Sequence, residues 1–523
     1  MGTYLNPGNS GFAEILKTEY VDKTGLISLI NATIGTKRKL TCISRPRRFG
    51  KSYAAQMLCA YYGKTCDSHS LFSGYKISAA PDYEEHLGKY DVIYLDMAAI
   101  KPYTRDYTEL VEFLIGVLTD EICESYPGVI AKKDFTSMLV DAVCKTGNKF
   151  FVIIDEWDAP IRENPSVQNE YLEFLRSLFK NSGVTSKVFA AAYMTGILPI
   201  KKDGNQSAVS DFQEYTVIKP RQYGEYVGFT EDEVRRLCQE HDTDFNLMKE
   251  WYDGYDFMDV GSIYNPNSVM QAIENNDMDS YWTESAAAEG LMEYISKPYN
   301  GLTKTIAELI GGVEVGINTN GFANDLITFK SKDDVLTLLI HLGYLAYDSK
   351  KKTVHIPNEE VKLEFQKTIR EVDHEATLIR LRESEQLFID TINGNEEAVA
   401  RQIEKIHAEE TVPLHYNRED SLRSVIKLAY YTYRDHYMQW EELPAGTGYA
   451  DIVYLPKHES DWPALVIELK WNKSVEGAID QILRKEYPKA LEGYGSSILL
   501  VGISYDKDAS DGLRKHSCRI QSV

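Results

Sequence analysis

The 523-residue sequence predicts a multidomain α/β protein whose N-terminal half is organised around a parallel sheet. The chain is longer than one hydrophobic core usually organises, so three or four domains are expected. Short continuous apolar runs, FFVII at 150–154 and VFAAAYM at 188–194, have the form of strands buried on both faces. These runs alternate with helical patterns and end in polar residues, as strands do whose carboxyl ends bind ligands in open α/β sheets. They fall far short of the ~20 residues that a membrane-spanning helix needs.

Composition narrows the class. With 43% hydrophobic and 26% charged residues the chain reads as an ordinary globular protein. The N-terminus, MGTYLNPGNS, has no basic segment followed by an apolar one, so the expectation is a cytoplasmic protein with no membrane partner. Seven scattered cysteines without a CxxC pair read as reduced thiols, neither a disulfide framework nor a zinc site. A net charge of -22 argues against non-specific coating of nucleic acid. Residues 416–523 carry 14 Lys and Arg against 16 Asp and Glu, so the acidic excess lies in the preceding chain.

Residues 39–44 (KLTCIS) form an apolar strand, followed by RPRRFGKS at 45–52 and the helical pattern SYAAQMLCAYY. Strand, loop, GKS and helix is the setting in which a Walker A motif has physical meaning. N–H groups at the helix N-terminus are expected to cradle phosphates, Lys51 to reach the β- and γ-phosphate oxygens, and the Ser52 hydroxyl to hold Mg²⁺. The usual first glycine is absent, with Arg45 in its place. Residues 149–160 (KFFVIIDEWDAP) have the form of a Walker B strand ending in two acids. Asp155 is expected in the Mg²⁺ shell, and Glu156 is expected to position and deprotonate the attacking water. A strand over 187–194 ends at Thr195, whose hydroxyl reads equally as a γ-phosphate sensor or as a group satisfying a turn. Residues 91–97 (DVIYLDM) supply a further strand between the Walker segments.

From Thr230 (FTEDEVRRLCQE) the pattern changes to amphipathic helices, opened by a Thr230–Glu233 capping box and read as a helical lid over residues 229–325. Residues 333–342 place Val335, Leu338, Leu339 and Leu342 at helical spacing, and Gly343 ends the helix. Two short strands, 344–347 and 353–356, surround DSKKK, the outline of a winged helix over 326–372. Lys350, Lys351 and Lys352 either contact DNA there or are ordinary surface lysines on a module that packs domains together, the second being the better-supported alternative. Helices through 379–407 are expected to act as a connector, residues 373–415.

The remaining segment, 416–523, orders its elements as helix (419–433), strand (438–442), strand (450–455), strand (464–470), helix, strand (497–503). That α-β-β-β-α-β order matches the PD-(D/E)XK core. In ALVIELK, Glu468 and Lys470 are two apart and share a face, while Leu469 points the other way. Asp451 on the neighbouring strand reaches the same face. Two carboxylates plus the Leu469 carbonyl make an oxygen site suited to Mg²⁺ or Mn²⁺, with Lys470 orienting the nucleophile for phosphodiester hydrolysis. The other explanation is an edge hairpin with alternating charges on its solvent face.

YVDKTGLI (20–27), SRPRRFGKS, LFSGYKI (71–77), IIDEWDAPI, WYDGYDF (251–257) and IYNPNSV (263–269) together resemble the AAA-ATPase-like family whose members carry a C-terminal PD-(D/E)XK nuclease. The resemblance runs along most of the chain and implies an ATPase over residues 1–228. It places Arg45, Arg47 and Arg48 near the nucleotide, the alternative for each being a solvated surface charge. The implied nucleotide set is Arg45, Arg48, Phe49, Gly50, Lys51, Ser52, Asp155 and Thr195. It also implies that Gln481 helps arrange the nuclease site and that Glu419 supplies an acid. Relatives read G-x-G-R-x-D where this chain has GTGYAD, with Tyr449 at the arginine position.

The expectation is an ATP-binding and ATP-hydrolysing protein that controls a metal-dependent nuclease acting on nucleic acid, DNA in the first place, and a homo-oligomer is compatible with it. The alternative is a nucleotide-dependent switch that grips nucleic acid or protein with little cleavage. A small-molecule P-loop kinase is disfavoured, because the Asp155–Glu156 pair suits water activation better than transfer to an alcohol.

Overall fold

Five parallel strands form the centre of the N-terminal part: β1 (Leu40–Ser44), β2 (Asp91–Asp96), β3 (Phe150–Asp155), β4 (Phe189–Gly196) and β5 (Gln213–Tyr215), in the order β2-β3-β4-β1-β5. The computed structural model describes the chain apart from residues 1, 133, 181, 201–208, 210, 259, 283–290, 292, 298, 300, 323–328, 371–374, 411–421, 423, 424, 427, 428, 431–436, 446, 447, 457–461, 486–490, 492–496 and 510–514. It divides into two compact units, one of residues 1–294 with 316–364 and one of residues 295–315 with 365–523.

Every residue of β1, β3 and β4 is buried, which explains their unbroken apolar sequence. On one face, helices Leu110–Ser125, Phe135–Thr146 and Gln168–Phe179 share a core with Leu95, Val152, Ile154 and Met194. On the other, helix Lys51–Tyr62 packs on the sheet, and the Tyr62 ring stacks on Phe151 with centroids 3.9 Å apart. Strand β4 begins at Phe189 rather than at the expected position 187, because Lys187 and Val188 close helix Ser182–Val188.

Arg45 departs from expectation. Its side chain is fully buried and lies neither at the cavity described below nor in solvent. Nη1 donates to the carbonyls of Ser44 (2.9 Å) and Tyr215 (3.2 Å), Nη2 donates to that of Tyr223 (3.4 Å), and the guanidinium sits 5.0 Å from the Phe257 ring centroid. Burial lowers its pKa only to about 10, so it stays charged. Arg45 is therefore a buttress beneath the loop.

The segment expected to be all-helical contains a small antiparallel sheet, β6 (Phe229–Thr230), β7 (Tyr255–Phe257) and β8 (Gly261–Tyr264), in the order β6-β8-β7. Strands of two to four residues are too short to display a period of two. Helices Glu231–Glu240, Phe245–Tyr252 and Pro266–Asn275 pack with it through Val234, Leu237, Met248, Tyr252 and Val269. The capping box forms: Thr230 N–H donates to Glu233 Oε2 (2.8 Å) and Glu233 N–H to Thr230 Oγ1 (3.4 Å). After the two-residue β9 (Val315–Gly316), helix Lys332–Leu342 ends at Gly343 in the left-handed region (φ 91°). The hairpin β10 (Ala346–Asp348) and β11 (Thr353–His355) follows, its turn fixed by the N–H groups of Lys350 and Lys351 donating to Asp348 Oδ1.

The second unit holds β12 (Tyr437–Ala445), β13 (Gly448–Pro456), β14 (Ala464–Trp471), β15 (Ile498–Tyr505) and β16 (His516–Ser522) in sequential order. Only the β14–β15 pairing is parallel, and helix Glu476–Arg484 makes that crossover. Strand β16 extends the element order expected from the sequence. Helices Glu375–Ile392 and Glu396–Glu410 are part of this unit rather than a separate connector, since Leu387, Phe388, Val399 and Ile403 share its core with Ile452, Leu465, Ile467 and Val501. The helix expected over 419–433 lies largely outside the described residues, as does Glu419, and nothing is described of the Tyr449 side chain.

Glu360, on helix Glu359–Arg370, is buried, and its Oε1 accepts the Tyr281 N–H at 2.9 Å. Burial pushes its carboxyl from 4.5 up to about 8, helped by Glu364 and opposed by the Ser268 hydroxyl, the Tyr281 N–H and Arg48. The folded chain thus holds a proton that the unfolded chain releases, and stability falls as pH rises between those two values. Glu360→Gln removes this loss. Denaturant titrations are expected to show the variant gaining on the wild type from about pH 5 to about pH 8.5; parallel pH dependences would contradict it.

Candidate functional site

The carboxyl ends of β1, β3 and β4 meet the N-terminus of helix Lys51–Tyr62 at one edge of the sheet. Gly50 opens that helix with φ 86°, a conformation that glycine adopts without the strain of a Cβ. Arg48, Phe49, Gly50, Lys51, Ser52 and Glu156 line a cavity of about 500 Å³. Arg48 is itself left-handed (φ 65°) and donates from Nη1 to the Tyr281 carbonyl at 2.8 Å. Phe49 is buried edge-on to Tyr255. Lys51 is nearly buried and its Nζ donates to the Pro46 carbonyl at 2.8 Å. Burial lowers the Lys51 pKa, against the pull of Glu156, Asp155 and Asp158.

Asp155 ends β3 at 1% exposure. Its Oδ1 accepts from the Thr195 hydroxyl and from the Glu156 N–H (3.1 Å), while the same Thr195 oxygen is 3.3 Å from that N–H. Thr195 is thus tied to Asp155 across neighbouring strands, which neither of its two sequence readings described. Asp155 Oδ2 is buried with no hydrogen bond of ordinary geometry, although the Ser52 hydroxyl lies within reach of the carboxylate. Burial raises the Asp155 pKa, Ser52 and Thr195 pull it back, Asp96 adds to the rise and Lys51 opposes it. A buried carboxylate with an unsatisfied oxygen beside a hydroxyl fits a small divalent cation. Glu156 adopts the left-handed region (φ 49°), a strained backbone of the kind that accumulates at functional sites.

Residues that the sequence motifs did not single out complete the cavity. Tyr20 and Val21, Tyr226 and Phe229, and Pro266 and Met270 form its apolar walls. Tyr20 and Val21 fall within YVDKTGLI and Pro266 within IYNPNSV, strings that carried the family resemblance but had no assigned role. Asp96 is paired in register with Asp155, and its own carboxyl is raised by burial. Its place at the end of a strand neighbouring the Walker B strand was the available signal.

The second unit assembles a separate cluster. The β13–β14 ladder runs to Ile452–Ile467, and extending that register sets Asp451 opposite Glu468. Asp451 Oδ2 accepts the Leu469 N–H at 2.8 Å. A strand residue's N–H and C=O face the same neighbour, so the Leu469 carbonyl is also on the Asp451 side. Glu468 is 2% exposed. Lys470 Nζ donates to Glu468 Oε1 (2.9 Å) and to Gln481 Oε1 (2.7 Å), and the Gln481 amide also donates to Glu468 Oε1. Glu468 Oε2 is buried without a hydrogen bond. Burial raises the Glu468 pKa, Lys470 lowers it, Asp451 raises it further and Lys485 lowers it. This pair also fits a divalent cation on oxygen donors. Among the described residues no three His, Cys, Asp or Glu side chains converge as a metal site, so a cation at either place rests on carboxylates completed by hydroxyl, backbone, water or phosphate oxygens.

Residues 8–205 match the AAA-ATPase-like family model, described as a predicted AAA-ATPase. No curated protein matches the chain. Among solved structures, a Walker-type ATPase of Pyrococcus abyssi is 14% identical, covering 66% of this chain and 94% of its own, with a TM-score of 0.32. The ORC2 protein of Aeropyrum pernix, in ADPNP and ADP complexes, is 11% identical over 67% of this chain and 96% of its own, with a TM-score of 0.30. Cdc6p of Pyrobaculum aerophilum is 10% identical over 67% and 93%, with a TM-score of 0.25. Among the described residues no helix is long and apolar enough to cross a membrane.

Proposed function

We propose that the N-terminal unit binds and hydrolyses ATP, and that its nucleotide state controls metal-dependent cleavage of nucleic acid by the C-terminal unit. The observation that carries the first half is Asp155: a buried carboxylate with an unsatisfied oxygen, beside the Gly50–Lys51–Ser52 helix start and a cavity of nucleotide size.

Ser52 and Asp155 would hold Mg²⁺, which would supply charge neutralisation for the phosphates. Backbone N–H groups at the start of helix Lys51–Tyr62 hold the phosphates, and Lys51 exchanges the Pro46 carbonyl for a phosphate oxygen. Glu156 accepts a proton from water as its oxygen bonds to the γ-phosphorus and the bond to the leaving ADP oxygen breaks. The apolar walls at Tyr20, Tyr226 and Met270 suit a nucleobase. Phosphate release is expected to fall by about 10²-fold or more in Lys51→Ala, and turnover persisting in that variant discards the loop assignment. Glu156→Gln is expected to slow hydrolysis by about 10²–10⁴-fold while retaining bound ATP; wild-type turnover in it would contradict the base assignment.

In the C-terminal unit, Asp451 and Glu468 would hold a divalent cation, which would supply an acidified water and charge neutralisation at the scissile phosphate. Lys470 orients the attacking water, and Gln481 fixes Lys470 against Glu468. Water attacks phosphorus and one phosphodiester P–O bond breaks, leaving a phosphate end and a hydroxyl end. Supercoiled DNA, single-stranded DNA and RNA are to be incubated with Mg²⁺ or Mn²⁺, with and without ATP. Cleavage is expected to disappear with a chelator and to drop by about 10²-fold or more in Asp451→Asn and Glu468→Gln. Binding without metal-dependent cleavage would favour the second reading, a nucleotide-dependent binding switch.

A further inference from the structure

Arg162 has no role in the chemistry above, yet it touches the residue assigned as general base. It lies on helix Ala159–Glu163 with its side chain 8% exposed. Nε donates to Asp158 Oδ2 and Nη2 to Glu156 Oε2, both at 2.9 Å. Asp158, 1% exposed, accepts in turn the N–H groups of Ile197 (3.2 Å) and Leu198 (2.9 Å), just beyond Thr195 at the end of β4. Taking a guanidinium out of water is costly unless its partners are fixed, and here the anchor partner is held by two backbone donors. The result is a continuous strut from the end of β4 through Asp158 and Arg162 to Glu156.

We propose that Arg162 is a positioning residue for ATP hydrolysis, holding Glu156 in the orientation from which it takes the proton of the attacking water. The proposal rests on the ATPase reading of this site. Arg162 engages one carboxylate oxygen of Glu156, Oε2, and Glu156 itself lines the cavity. A cation that locked the base away would be expected to engage both oxygens, or to sit where a ligand could displace it; Arg162 is anchored from behind instead. The left-handed backbone at Glu156 gives a further reason for a strut, because a strained residue keeps its geometry only when its surroundings over-determine it.

The test uses the full chain and compares wild type, Arg162→Gln, Arg162→Lys, Glu156→Gln and the Arg162→Gln/Glu156→Gln double variant for kcat, KM, ATP affinity and thermal midpoint. Arg162→Gln is expected to lower kcat about 10–100-fold, a part of what a general base contributes, with ATP affinity within about threefold of wild type. Arg162→Lys is expected to recover most of that loss. The double variant is expected to be no slower than Glu156→Gln alone, since a residue acting only through Glu156 has nothing left to position. An unchanged or raised kcat in Arg162→Gln overturns the proposal, as does lost ATP affinity with kcat intact, or losses that multiply in the double variant. Should Arg162→Gln fold poorly, Asp158→Asn, which removes the anchor and keeps the guanidinium, carries the same expectations. A wild-type chain that never hydrolyses ATP overturns the ATPase reading and this inference together; hydrolysis untouched by Arg162→Gln overturns the inference alone.

Discussion

A carboxylate at the end of a strand buried on both faces is the constraint around which the N-terminal unit is arranged. Phe150 to Ile154 must be apolar to occupy the middle of a parallel sheet, and the chain then delivers Asp155 to a place with little water. An ionised carboxylate there needs partners. Thr195 from β4, the Glu156 N–H and the Ser52 hydroxyl meet part of that need, and one oxygen is left over. Because strands in a parallel sheet end on the same edge, Ser52 and Thr195 gather at Asp155 although both are distant from it in sequence. The same edge brings Lys51, Asp158 and Arg162 into one electrostatic cluster with Glu156.

The C-terminal unit meets a similar problem with different means. Glu468 is buried by the parallel neighbour β15 and by helix Glu476–Arg484, and its stabilising partners are a lysine and an amide rather than hydroxyls. It too keeps an unsatisfied oxygen, and the register sets a second carboxylate, that of Asp451, opposite Glu468 where the β13–β14 ladder stops. Raised carboxyl pKa values at Asp155 and Glu468 share one physical cause, burial, which a cation bound at either place would relieve.

The parts of the molecule that read clearly from sequence are those where one local rule dominates. Continuous apolar runs located β1, β3 and β4, Thr230 with Glu233 marked a helix start, and the spacing of Glu468 and Lys470 placed them on one face. Arg45 was misplaced because an arginine in a loop reads as solvent-facing or ligand-binding, and only the fold shows the three carbonyls that surround its guanidinium. The β6-β8-β7 sheet was hidden by the brevity of its strands. Asp96 and the apolar cavity walls depend on pairings between segments far apart in sequence, as does the anchoring of Asp158 beneath Arg162, and no periodicity records those. The helices over 375–410 looked like a linker because their apolar faces are legible while the sheet they cover is not.

The central claim is that Gly50–Ser52, Asp155 and the adjoining cavity form a Mg²⁺-dependent nucleotide site. Its most direct test is equilibrium titration of the full chain with a fluorescent, non-hydrolysable ATP analogue, with and without Mg²⁺. The account predicts saturable binding in the micromolar range that weakens at least tenfold when Mg²⁺ is withdrawn or when Asp155 is changed to asparagine, on the order of 1.4 kcal/mol or more. Absence of binding at millimolar analogue, or binding indifferent to both the cation and Asp155, would contradict it.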